Sequence, residues 1–258
     1  MRRITITLSV ALLAIASVTT PALGDEPEGP VHIALGDSVA AGVGANNREV
    51  TDYVARLNRW LRSVDTEAGG PSASPHLELS DFSVGGATSS DLIASQLPQA
   101  LAEIAVRGDD VEYITITIGG NDLFRPVLAA CAGGVTPGCA GTIQSIFTTY
   151  TANLGTILGT LRAVAPQAEI AIMTYYNPLP ACEMADLAPL ADVVLEGGGP
   201  LPAGLNDIIR GVAGATDVTV VDTYGLLGPD DFVGGTDCLH PDDSGHRKIA
   251  RAFERAMV

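Results

Sequence analysis

The chain has 258 residues, 30 of them acidic against 14 basic, for a net charge of −16. Such a surface repels phosphate backbones, which excludes nucleic acid as an expected partner. Hydrophobic residues make up 47% of the chain, enough for a sizeable core, and no internal repeat or polar linker divides it.

The first 24 residues read as a leader rather than as part of the fold. Arg2 and Arg3 precede an apolar stretch over residues 4–18, and Pro21-Ala22-Leu23-Gly24 supplies small residues before Asp25. That is the pattern of a secretory signal peptide cut before Asp25. Its apolar part, about 15 residues, is short of the roughly 20 needed by a membrane anchor. Cleavage removes two arginines and no acid, leaving 12 basic and 30 acidic residues, a net charge of −18. Residues 25–258 are expected to form one domain.

Beyond the leader, short apolar runs rich in Ile, Val and Thr recur at residues 31–35, 77–82, 113–118, 169–174 and 218–221. They predict strands buried on both faces. Helical patterns lie between and after them, at 52–64, 89–106, 143–164, 205–212 and 244–257. In the last, Ile249, Phe253, Ala256 and Met257 share one face while Arg247, Lys248, Arg251 and Arg255 cover the others. The alternation predicts an α/β fold, a three-layer α/β/α sandwich around a parallel sheet of about five strands. Ligands of such sheets bind beyond the carboxyl ends of the strands. Two Gly- and Pro-bearing segments, 125–142 and 177–204, leave that rim after strands three and four. Both are read as irregular, and as walls of a pocket rather than solvent loops.

Four small motifs reach the same rim. Strand one runs into Gly36-Asp37-Ser38, strand two into "SVGGATSSDL" (83–92), strand three into "IGGNDL" (118–123), and the C-terminal region holds "DCLHPDDSGH" (237–246). Gly36, Gly42 and Gly44 fit neither a dinucleotide fingerprint nor a P-loop, and no lysine follows. Asp-Ser-Val also suits the attachment serine of a carrier protein, but those are small helical bundles and this chain is longer and strand-rich.

In this order, end to end along the mature chain, the four motifs resemble those of the GDSL-type, or SGNH, hydrolase superfamily, and most of all the secreted esterases and lipases of actinomycetes. The resemblance implies a flavodoxin-like hydrolase fold without metal or cofactor, acting as a monomer on a small-molecule or lipid ester. It implies Ser38 as nucleophile, His240 as base and Asp237 as its orienter. It also implies an oxyanion hole from the Ser38 N–H, the Gly86 N–H and the Asn121 side chain. The chemistry needs these types: a serine hydroxyl is a weak nucleophile without a base, and an imidazole needs an acceptor for its second nitrogen. Gly86 is preferred to Gly85 because Gly86-Ala87-Thr88 matches the family run. Asp37 and Asp122 are read as loop-bonding residues. Of the other histidines, His32 and His76 are read at the far end of the sheet, and His246 as a packing residue at the start of the last helix. Val39 departs from the family's leucine. The alternatives are a carbohydrate O-acetyl esterase of the same superfamily and a catalytically inactive binding module.

Cys131, Cys139, Cys182 and Cys238 are even in number, lack CxxC spacing and suit an oxidising compartment. Three pairings exist. The expected one is Cys131–Cys139, across a glycine-rich return, with Cys182–Cys238, which ties the segment after strand four to the one carrying His240.

Overall fold

The computed structural model describes residues 29–63, 76–131, 136–199 and 201–257, so the expected leader, residues 1–24, lies outside the described residues. Five strands form one parallel sheet: β1 (Val31–Gly36), β2 (Glu78–Asp81), β3 (Val111–Thr117), β4 (Glu169–Met173) and β5 (Thr219–Val221), in the order β2-β1-β3-β4-β5. Alternation along β1, β3 and β4 divides the core. Ile33, Leu35, Ile114, Ile116, Ile170 and Ile172 face one apolar layer. Ala34, Tyr113, Ala171, Met173 and Val221 face the other. β2 departs from the expectation of strands buried on both faces: Glu78, Leu79 and Asp81 are exposed, because this strand is the edge of the sheet.

Helix α1 (Tyr53–Leu61) follows β1, capped by the Asp52 carboxylate on the Ala55 N–H at 2.6 Å. After β2, α2 (Ser89–Asp91) passes through a π-helical turn, Leu92–Gln96, into α3 (Leu97–Arg107). The two segments read as irregular are largely helical. α4 (Gly120–Cys131) and α5 (Pro137–Val164) occupy the first. Two short 3₁₀ turns and α6 (Ala188–Glu196) occupy most of the second. Proline misleads here: Pro137 and Pro189 stand in the first turn of their helices, where a missing N–H costs nothing. Helix α7 (Leu205–Ala215) leads into β5.

Beyond β5, β6 (Phe232–Gly234) and β7 (Asp237–Pro241) form a small antiparallel ribbon that the strand patterns did not predict. Helix α8 (Asp243–Ala256) then packs beside α1, burying Ile249, Phe253 and Met257. Asp231 fastens the ribbon to α8 through the Ser244 hydroxyl at 2.9 Å and the Lys248 ammonium at 2.5 Å.

Candidate active site

The site begins where β1 stops. Gly36 has φ of +144°, and a Cβ there would stand 2.2 Å from the Thr117 carbonyl oxygen, so only glycine lets the chain turn against β3. The Asp37 N–H then donates to that carbonyl at 2.9 Å. On the β2 side, where the edge strand has ended, the Val84 N–H still donates to the Gly36 carbonyl at 3.0 Å, and Gln96 joins it. Its amide accepts from the Gly36 N–H and donates to the Gly36 carbonyl, both at 2.8 Å, while fully buried. Both backbone groups of the residue before Asp37-Ser38 are thus clamped. Sequence reasoning missed Gln96; a glutamine on the inward face of a helical pattern was the available signal.

Ser38 and His240 meet across this turn. The Ser38 Oγ stands 2.9 Å from His240 Nε2. His240 Nδ1 contacts the Asp237 carboxylate oxygens at 2.7 and 3.0 Å, and the His240 N–H donates to the nearer one at 3.3 Å. A carboxylate only accepts, so Nδ1 carries the proton and Nε2 presents a lone pair to the serine hydroxyl. Asp237 and His240 both stand on β7, and the bond from the His240 backbone N–H draws the Asp237 carboxylate along the chain toward the imidazole.

Asn121 is the second residue of α4, and its Nδ2 donates to the Ala87 carbonyl at 3.0 Å. That carbonyl belongs to the turn carrying Gly86, whose φ of +83° suits glycine and where no atom lies within 4 Å of an added Cβ. Asn121 thereby joins the turn after β2 to the start of α4. Asp122 strengthens the same joint, accepting from the Ser89 N–H at 2.9 Å and the Ser89 hydroxyl at 2.5 Å.

The remaining histidines lie away from this centre. His32 is inside β1, fully buried, with Nε2 2.8 Å from the Thr115 hydroxyl, and burial pulls its pKa down to about 4. His246 accepts the Tyr53 N–H at 3.3 Å and reaches the Val43 carbonyl at 3.1 Å. It braces the loop that leaves Ser38. His76 is exposed.

Ser38, Asn121 and His240 share the mouth of a pocket of about 180 Å³. Its interior is apolar: Val127 and Leu128 come from α4, Leu179 from the turn after β4, and Leu190 and Val194 from α6. The helical insertions therefore serve as walls. Two disulfides hold them. Cys131–Cys139 joins the end of α4 to the start of α5, and Cys182–Cys238 joins the turn after β4 to β7. The second spans 56 residues. Replacing both its cysteines by alanine is expected to lower stability by about 4 kcal/mol, or roughly 8–16 °C in Tm. An unchanged melting temperature would contradict this.

Asp37 is buried beside Ser38. One carboxylate oxygen accepts the Val39 N–H at 3.0 Å and the other accepts a short hydrogen bond from the Tyr175 hydroxyl. Burial raises its pKa to about 6 from 3.8, against the opposing pull of these donors. Between pH 4 and 6 Asp37 keeps in the folded chain a proton that it has lost in the unfolded chain, so its contribution to stability falls as pH rises through that window. The loss amounts to about 3 kcal/mol. Asp37→Asn removes it, so the variant should gain about 3 kcal/mol on the native protein between pH 4 and pH 7. The opposite titration of buried His32 is common to both and cancels. Thermal melts of the pair across that range measure the difference, and one that is flat with pH would contradict the assignment.

Among the described residues, no helix is long and apolar enough to cross a membrane, and no cluster of three metal-ligating side chains occurs. Comparison with known proteins matches residues 34–248 to the model of the GDSL-like lipase/acylhydrolase family. Lipase 2 of Streptomyces coelicolor is 29% identical over 239 residues, covering 84% of this chain and 78% of that protein. Among solved structures, the lipase Lip_vut3 from a goat rumen metagenome superposes with a TM-score of 0.62 at 20% identity, covering 88% of this chain and 97% of that one. An acetylxylan esterase from Geobacillus stearothermophilus gives 0.59 at 20%, covering 89% and 94%. At these identities the two structures establish the shared fold.

Proposed function

The chain belongs to the GDSL-like lipase/acylhydrolase family, and from that membership we propose a secreted serine esterase or lipase that cleaves acyl esters through an acyl-enzyme on Ser38. The carrying observation is the 2.9 Å contact between Ser38 Oγ and His240 Nε2 at the mouth of an apolar pocket. In the first half-reaction His240 Nε2 takes the serine proton as Oγ attacks the ester carbonyl. Asp237 accepts from Nδ1 and stabilises the imidazolium. The oxyanion is held by the Ser38 and Gly86 N–H groups and by the second Nδ2 hydrogen of Asn121, the first being bound to Ala87. As the C–O bond breaks, His240 returns its proton to the departing alcohol. In the second half, water loses a proton to His240, attacks the acyl carbonyl and releases the acid, and Ser38 regains its hydrogen. Secretion rests on the leader pattern of residues 1–24 and on the two disulfides.

The pocket favours an acyl chain over an acetyl group. An acetyl ester leaves most of the Val127, Leu190 and Val194 surface without a partner, whereas each methylene buried there gains about 0.8 kcal/mol, or roughly fourfold in kcat/KM. A series of p-nitrophenyl esters from acetate upward is expected to show this rise until the pocket is filled. A maximum at acetate, with faster turnover of acetylated xylooligosaccharides, would favour the O-acetyl esterase instead.

A further inference from the structure

Eight of the 12 basic residues beyond the leader lie on or beside α1 and α8, in a chain with more than twice as many acids as bases. Where the two helices pack, a groove of about 340 Å³ is lined by Arg56 and Arg59 of α1 and Arg247 and Arg251 of α8. Trp60, the one tryptophan in the sequence, and a single acid, Glu254, also line it. Arg247 and Arg251 are four apart on one helix and Arg56 and Arg59 three apart on the other, which places like charges side by side, a destabilising arrangement. Arg56 is bonded through Nε to the Thr51 carbonyl and Arg59 through one η nitrogen to the Val50 carbonyl, both at 2.7 Å. Among the described residues Arg247 and Arg251 form no hydrogen bond or ion pair. Partial burial and the charges of Arg247 and Arg59 together hold the Arg56 guanidinium below its ordinary pKa, with Asp243 and Asp52 acting the other way.

Four guanidiniums against one carboxylate leave an excess of positive charge in one cleft. Guanidinium forks match phosphate oxygens two at a time. The acidic remainder of the surface is screened beyond about 10 Å at ordinary ionic strength, so the local field governs a small ligand in the groove. We propose that the groove between α1 and α8 binds a soluble phosphate-bearing polyanion of the pyrophosphate or polyphosphate class, at a site distinct from the Ser38 pocket. This site is independent of the ester-hydrolysis reading, since none of its residues lines the catalytic pocket.

Trp60 makes occupancy measurable without a label. Titrating the full chain with inorganic pyrophosphate at constant ionic strength is expected to change Trp60 emission saturably. The variant R247Q/R251Q should shift the half-saturating concentration upward by about tenfold or more while cleaving a short soluble ester at the native rate, which also reports its folding. A response that follows ionic strength alone would overturn the proposal. So would an identical titration in the variant, or a response to phosphatidylglycerol vesicles without one to pyrophosphate.

Discussion

Ser38→Ala is expected to lower kcat by about 10⁶-fold, and His240→Ala by nearly as much. The two are not independent. If the 2.9 Å contact to His240 Nε2 is the path of the serine proton, neither group acts without the other. The double variant should therefore be no slower than the worse single one, with residual turnover over water left to the oxyanion donors. Binding of the ester should persist, because the apolar walls are untouched. Additive losses would mean that the two residues act in separate steps, and a Ser38→Ala variant near native activity would remove Ser38 from the reaction.

The second large effect concerns Asn121. If its amide stabilises charge that exists only in the transition state, Asn121→Ala should lower kcat by about 100- to 1,000-fold. KM should scarcely change, since the ground-state carbonyl needs that donor much less. The structure supplies a competing role, because the same amide holds the Ala87 carbonyl. Magnitude separates the two. Losing one hydrogen bond costs about 1 kcal/mol and lowers Tm by roughly 2–4 °C in a domain of this size. A catalytic donor is worth about 2.7–4 kcal/mol in the barrier. Measuring kcat, KM and Tm on one preparation tells them apart. A small fall in Tm with near-native kcat would leave the oxyanion to the Ser38 and Gly86 N–H groups.

Much of the framework was legible because it depends on short-range patterns. The five strands are apolar runs of Ile, Val and Thr, and their parallel sheet puts everything that follows a strand on one rim. Hence Ser38 after β1, Gly86 after β2 and Asn121 after β3 all stand on that rim. His240 reached it by another route. It stands on β7, whose pairing with β6 covers only a few residues and leaves no alternation to read. The helices α4 and α6 were hidden by Pro126 and Pro189, which read as breaks but are absorbed inside one helix and at the start of the other. Gln96 and Tyr175 escaped for a different reason. Gln96 is 60 residues from the Gly36 it clamps, and Tyr175 is 138 from the Asp37 it bonds, so neither contact leaves a local trace.

The central claim is that Ser38 is the nucleophile, and covalent trapping tests it most directly. A serine-reactive p-nitrophenyl phosphonate places phosphorus where the ester carbonyl would sit and releases nitrophenol as the serine oxygen bonds to it. Intact mass followed by peptide mapping should find one adduct per chain, on the peptide containing Ser38. Its formation should slow sharply in His240→Ala and stop in Ser38→Ala. An adduct on any other residue, or labelling that persists in Ser38→Ala, would contradict the account.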